Sequence, residues 1–369
     1  MRHSRATLPY RLLLSAVVVV LGVLPAAAEE SRIAVLNWSD YIADDTVERF
    51  QSETGLKVDY EEFDTKDALE TRLLQGRTGK DVVVPTAAFL QRHTTDGMFL
   101  KLDKAKLPNY ANLDRELNRI AGLYDPGNQF AVPYLWGTTG IGYNVARIKE
   151  RMANAPTDSW RMLFDPTVVQ RFKDCGVAMP DSPVDVIKSV LRYLGRDPNS
   201  QKEEDIRAAE AHLARIRPYI AFFDTARYID DLASGAACLV LGWSGDVVQA
   251  RARARDAGSE VEIGYSIPRE GAMVWMDVLA IPADAPNPEA AHRFIDFVMR
   301  PEIAADIANT VGFANANAAS KDDLDPELSG DPALYPPLSV KQRLFADKAQ
   351  PAEVERLIQS AFNRAKQAR

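Results

Sequence analysis

The stretch RIAVLNWSDYIADDTVERFQSETGLKVDY, residues 32–60, sets the architecture. Ile33 to Leu36 form a short apolar run suited to a buried strand, and Asp45 to Thr54 form an amphipathic stretch that Gly55 can stop. Leu56, Val58 and Tyr60 then alternate as a second strand with one buried face. Strand, helix and strand in this order open an α/β fold.

The same grammar continues downstream. Lys66 to Gln75 has helical spacing before Gly76, Asp81 to Val84 reads as a buried strand ending at Pro85, and a helix follows near Ala87. Later, Gly176 to Met179 and Cys238 to Leu241 read as strands, and Val184 to Leu194 and Ile206 to Ile216 as helices. Two extended segments, Phe130 to Asn144 and Glu262 to Pro282, are rich in glycine and aromatics and are expected to connect two lobes. That places 29–135 with 262–324 in lobe one, and 136–261 with 325–369 in lobe two. The tail, with Pro336-Pro337 and a final helix near Pro351 to Ala368, is expected to pack back on lobe two.

At the amino end, Arg2, Arg5 and Arg11 precede an apolar run from Leu12 to Leu24 that finishes in Ala26-Ala27-Ala28. A run of thirteen is shorter than the roughly 20 residues a spanning helix needs, so the segment reads as a secretory signal peptide cleaved after Ala28. No cysteine near that point could carry a lipid, so a free periplasmic protein is expected. Cleavage leaves 341 residues, more than one core usually organises, hence two lobes. It also leaves 41 Lys and Arg against 52 Asp and Glu, a net charge of −11, which argues against nucleic acid or an anionic membrane as partner. The two cysteines, Cys175 and Cys238, can pair in an oxidising compartment or, alternatively, share a metal. With only four histidines, none at ligand spacing from a cysteine, neither a metal nor any cofactor is expected.

Ligands of open α/β sheets bind outside the carboxyl ends of the strands. Three such places pair an aromatic with an acid: Trp38 and Tyr41 with Asp40, Trp243 with Asp246, and Trp275 with Asp277 in a crossing segment. A carboxylate gives an ammonium a charge-assisted hydrogen bond, and an aromatic face adds cation–π attraction of roughly 0.5–2 kcal/mol while sandwiching methylenes. The combination suits a flexible diamine or triamine. Asp181 and Asp185 follow the strand ending at Met179, and Asp185 also suits the first turn of a helix.

An enzyme is not expected. Gly242-Trp243-Ser244-Gly245-Asp246 has the placement of a nucleophile elbow, but Asp246 stands where the sharp turn needs glycine. Only His292 follows that serine as a candidate base, and it lies in a helix-like run.

The chain resembles the periplasmic polyamine-binding proteins of ABC transporters, the putrescine and spermidine group. The markers are Asn37-Trp38-Ser39-Asp40-Tyr41-Ile42, Asp81-Val82-Val83-Val84-Pro85, Tyr228-Ile229-Asp230-Asp231-Leu232-Ala233-Ser234-Gly235, Gly242-Trp243-Ser244-Gly245-Asp246-Val247, Ile267-Pro268-Arg269-Glu270-Gly271-Ala272 and Ala314-Asn315-Ala316-Asn317. The resemblance implies a two-lobed type II periplasmic binding protein fold with hinge strands and a ligand cleft between the lobes. It also implies a Cys175–Cys238 disulfide, a polyamine ligand, and delivery to an inner-membrane ABC permease by a protein expected to act as a monomer. By the same resemblance, Trp38, Trp243 and Trp275 box the methylene chain, Asp246 and Asp277 take an internal or shared amine, and Asp40 and Asp185 take terminal amines. Ser39, Tyr41, Thr86 and Thr225 fall where the family places hydrogen-bonding side chains, with threonine where relatives often have serine. Asp185 is shorter than the glutamate often found there. Phe313 replaces a tyrosine of some putrescine binders and Trp275 a smaller phenylalanine; with Asp181 as an extra acid, these changes favour spermidine over putrescine. Rivals are a relative that takes an iron complex or an oligosaccharide, and a sensor that reports to a membrane receptor.

Overall fold

A computed structural model of the protein describes residues 1, 32–63 and 66–368. The expected signal peptide and its cleavage point lie outside the described residues.

Eleven strands appear in it: β1 (Arg32–Trp38), β2 (Lys57–Phe63), β3 (Val82–Val83), β4 (Ala131–Asn144), β5 (Val177–Met179), β6 (Phe222–Phe223), β7 (Leu239–Trp243), β8 (Ile263–Ser266), β9 (Met273–Ala280), β10 (Ala314–Asn315) and β11 (Phe345–Ala346). The opening unit is a right reading of the pattern. β1 pairs in parallel with β2 from Arg32↔Lys57 to Trp38↔Phe63, and the helix Thr46–Thr54 joins them. Gly55 ends that helix at φ 71°, its N–H on the Gln51 carbonyl at 2.9 Å, a left-handed cap that a β-carbon would strain.

The strand order is β2-β1-β3-β9-β4-β7-β5-β6, with β8 and β10 also paired to β4 and β11 to β9. β4 holds the molecule together. Its first half pairs antiparallel with β9, from Ala131↔Ala280 to Thr138↔Val274, and its second half pairs with β7 from Thr139↔Trp243 onward and with β8 from Ile141↔Ser266. One strand thus belongs to two half-sheets, and the change of partner falls between Thr138 and Thr139.

Each half-sheet has its own apolar core. Phe50, Phe89, Tyr124, Trp136 and Phe294 pack in the first, and Trp160, Phe164, Phe172 and Phe362 in the second. Every fully buried side chain of this size contributes about 1.5–3 kcal/mol of transfer free energy, so both cores add substantially to stability. The fold is two-lobed.

Among the described residues the chain passes between the cores three times: along β4, between Ala272 and Val274, and between Ala346 and Val354. β8 pairs with β4 at Ile141 to Asn144, in the second half-sheet, although residues from 262 onward were expected with lobe one. The tail also divides. Leu328, Leu334 and Tyr335 pack on the first core and β11 pairs with β9, whereas the helix Ala352–Gln367 buries Val354, Ile358 and Phe362 in the second. Pattern alone could not separate these pieces, because both ends of the tail are amphipathic.

Cys175 and Cys238 form a disulfide across 63 residues, just ahead of the adjacent strands β5 and β7, with Cα atoms 5.5 Å apart. Closing a loop of this length stabilises by about 4 kcal/mol in the chain-entropy treatment. Replacing both cysteines by alanine should lower the thermal midpoint by several degrees, read by calorimetry, with ligand affinity unchanged because neither sulfur reaches the crevice residues described below.

Candidate ligand-binding site

Two groups of side chains meet where the half-sheets join. The first is built on the turn after β1. Asn37 fixes that turn: its Nδ2 donates to the Tyr41 carbonyl at 3.2 Å and to the Tyr60 hydroxyl at 2.9 Å, and its Oδ1 accepts from the Trp38 amide at 2.8 Å. Tyr134 donates a second bond to the Tyr41 carbonyl at 2.6 Å. Asp40 can then take φ 55°, a left-handed value that an aspartate tolerates at a tight turn.

From this turn the Tyr41 hydroxyl donates to Asp277 Oδ2 at 2.9 Å. Asp277 lies on β9, bridged to Thr86 of the loop after β3. Burial pushes its carboxyl up to about 7, and the Tyr41 hydroxyl pulls the other way. Phe313 stands edge-on to both Tyr41 and Trp275, with centroids at 5.8 and 5.5 Å. Trp38 tilts on Phe63 at 4.5 Å and donates its indole N–H to the Val84 carbonyl at 3.0 Å.

The second group is built on the carboxyl ends of β5 and β7. Asp185, in the first turn of the helix Pro183–Tyr193, accepts from the Thr139 hydroxyl at 2.5 Å, the Ser182 hydroxyl at 2.5 Å and the Trp243 indole at 3.0 Å. Burial raises its carboxyl, and these three donors lower it. Asp246, in the first turn of the helix Ser244–Asp256, accepts from Tyr228 Oη at 2.5 Å; burial pushes it up to about 6. The same tyrosine oxygen accepts from the Trp243 amide at 3.2 Å, which leaves its single proton for Asp246.

Two glycines let the groups approach. A β-carbon on Gly137 of β4 would stand 2.3 Å from the Trp275 ring, and one on Gly245 would stand 2.1 Å from Phe313. Gly245 opens the helix that carries Asp246, so the Phe313 ring of the first group lies directly on the second.

The structure therefore gathers Tyr41, Trp243, Trp275, Phe313, Asp185, Asp246 and Asp277, with Trp38 and Thr86 at the edge of the first group. The Thr86 oxygen caps the helix Ala87–His93, accepting from the Phe89 amide at 3.2 Å. Asp40 is exposed, and Ser39 is fixed by its amide on the Phe63 carbonyl at 3.1 Å. Asp181 and Thr225 pair with each other, the Asp181 amide on the threonine hydroxyl at 3.2 Å, while the exposed Asp181 carboxylate meets Lys366 at 2.8 Å. That acid already has a cation.

Sequence reasoning gave no role to Tyr228, Thr139 or Ser182, the donors that hold the second pair of acids. Tyr228 opens a quoted motif and Ser182 adjoins Asp181, but a donor contributed by a distant segment has no local pattern. Ser244 is fully buried, its hydroxyl accepting from the Thr138 amide at 3.2 Å. His292 sits in the other core, its Nε2 accepting from the Asp103 amide at 2.9 Å. No serine–histidine pair forms here.

Residues 45–336 match the family described as bacterial extracellular solute-binding protein. The putrescine-binding periplasmic protein PotF of Escherichia coli (strain K12) is 44% identical over 356 residues, 96% of each chain. The putrescine-binding periplasmic protein SpuD of Pseudomonas aeruginosa is 43% identical, covering 92% of this chain and 93% of that one. Among solved structures, the spermidine/putrescine ABC transporter substrate-binding protein PotD of Streptococcus pneumoniae superposes with a TM-score of 0.80 at 26% identity, covering 91% of this chain and 98% of that one. The chain belongs to the family of bacterial extracellular solute-binding proteins, in the company of the periplasmic putrescine- and spermidine-binding relatives that its motifs resemble.

Proposed function

We propose that this chain captures a polyamine between its lobes and delivers it to an inner-membrane ABC permease, working in the periplasm as a monomer after loss of its leader. The names of the relatives support the ligand class. The observation that carries it is the state of the crevice acids: Asp185, Asp246 and Asp277 are buried, and among the described residues none forms an ion pair with a lysine or arginine. Each accepts from hydroxyl or indole donors, and apart from the distant pull of Arg253 on Asp246 no cationic side chain offsets its charge. A chain with two or three ammonium groups neutralises all of them at once, and Trp243, Trp275 and Phe313 offer faces to the methylenes between.

In this reading Asp277 and Asp246 take ammonium groups of the ligand, Asp185 takes a terminal one at the far side, and Asp40 closes the near side. Trp275 presents a larger face than phenylalanine and Phe313 has no hydroxyl, which favours the longer triamine, spermidine, over putrescine. Asp181 adds little to that preference while Lys366 holds it.

Titration calorimetry with putrescine, cadaverine, spermidine, spermine and agmatine tests the ligand class: spermidine and putrescine should bind at micromolar concentration or below, about −8 kcal/mol or better. No heat with any of them at millimolar concentration would sink the reading. Asp246→Asn keeps the volume and a partner for Tyr228 but removes the charge; affinity should fall by about 2–5 kcal/mol, thirtyfold or more, with the melting temperature held or raised.

The acids also predict opposite pH trends for free and loaded protein. Raised carboxyls in the fold destabilise it where they must ionise, so the ligand-free protein should gain stability as pH drops from 8 through about 7 and about 6. Polyamine affinity should fall over the same interval, because protonated Asp277 and Asp246 no longer attract an ammonium. Calorimetry and thermal melts across this interval check both signs.

A further inference from the structure

The third passage between the lobes is clamped from both sides. Leu344 packs against both cores, the Phe345 amide donates to the Ala272 carbonyl at 3.0 Å, and β11 pairs with β9. From the first lobe, Tyr124 Oη accepts from the Asp347 amide at 2.9 Å and donates to the Val274 carbonyl at 3.3 Å, while Gln91 Oε1 accepts from the Ala349 amide at 2.8 Å. From the second lobe, Asn199 donates to the Ala346 carbonyl at 2.9 Å and accepts from the Lys348 amide at 3.1 Å.

At the centre lies an ion pair. Lys188, 1% exposed, meets the Asp347 carboxylate and also donates to Asn199 Oδ1 at 2.9 Å. Lys188 lies on the helix Pro183–Tyr193, three residues beyond the crevice acid Asp185. A buried ammonium removed from water is tolerated only with its partners in place, so this pair fixes the spacing between helix and passage tightly. The amino end of that helix is tied within the second lobe, Asp185 accepting from Thr139 of β4, from Ser182 and from the Trp243 indole of β7, so the helix and the wall of the crevice move as one piece.

We propose that Lys188, Asn199 and Asp347 form the pivot of lobe closure, coupling the angle of the third passage to the position of the Asp185 carboxylate in the crevice. They are positioning residues: the lysine ammonium is spent on Asp347 and Asn199, and the route to the ligand runs through the helix. Rotation about the passage then carries the helix and the second-lobe wall bonded to it, and Asp185 reaches a ligand held on the first lobe only at the closed angle. The inference rests on the polyamine reading for its binding arm.

The test uses the mature protein with Lys188→Met, Lys188→Arg, Asn199→Ala and Asp347→Asn, each read by circular dichroism, by calorimetry with spermidine and putrescine, and by small-angle X-ray scattering with and without ligand. Lys188→Met and Asn199→Ala should bind both amines about tenfold more weakly and compact less on binding, with Lys188→Arg recovering part of the loss. A folded Lys188→Met with the affinity and compaction of the parent overturns the proposal; so does a loss confined to Asp347→Asn, which would mean that Asp347 touches the ligand itself. If Lys188→Met fails to fold, Asn199→Ala decides on the same two readings. If the parent chain binds neither amine, the polyamine reading fails by itself, and the ligand-free scattering decides the pivot: a larger radius of gyration in Lys188→Met or Asn199→Ala supports it, and an unchanged one overturns it.

Discussion

Three buried carboxylates, Asp185, Asp246 and Asp277, that among the described residues form no ion pair with a lysine or arginine are the constraint on which the rest of this molecule turns. Isolated charge in a poorly solvated space is costly, and side chains gathered from distant parts of the chain lessen that cost. Tyr41 on Asp277, Tyr228 on Asp246, and Thr139 with Ser182 and Trp243 on Asp185 supply donors without cancelling the charge. The acids' side-chain hydrogen-bond donors are all neutral.

The backbone serves this arrangement. The change of partner along β4 puts Thr139, a donor to Asp185, one step after Thr138 and two after Gly137, on which the Trp275 ring rests. Both groups of side chains are thus referenced to a few consecutive residues of one buried strand. Gly245 does the same for the opposite wall, since its missing β-carbon leaves the space that Phe313 fills.

Much of this was legible in the sequence because it was local. The alternation at Leu56, Val58 and Tyr60, the stop at Gly55, and the aromatic–acid pairs near strand ends all depend on short spacing, although β1 and β7 run two residues past the expected Leu36 and Leu241, to Trp38 and Trp243. What stayed hidden was set by contacts across long separations. Nothing near Asp181 shows that Lys366, 185 residues on, holds it. Nothing in the motif that begins at Tyr228 shows that its hydroxyl serves Asp246, and nothing in the tail shows that 328–346 rests on one core while the last helix rests on the other. The resemblance named the candidate residues; the fold shows what holds each acid in place.

Three separate passages of chain between the lobes carry a mechanical consequence. Two bodies joined at one point can swivel in any direction, whereas every further joint removes freedom and leaves few relative rotations. The outer rims of this protein can therefore meet a third body in few relative orientations. A membrane partner could tell a loaded molecule from an empty one by the distance between those rims, without ever sensing the cargo.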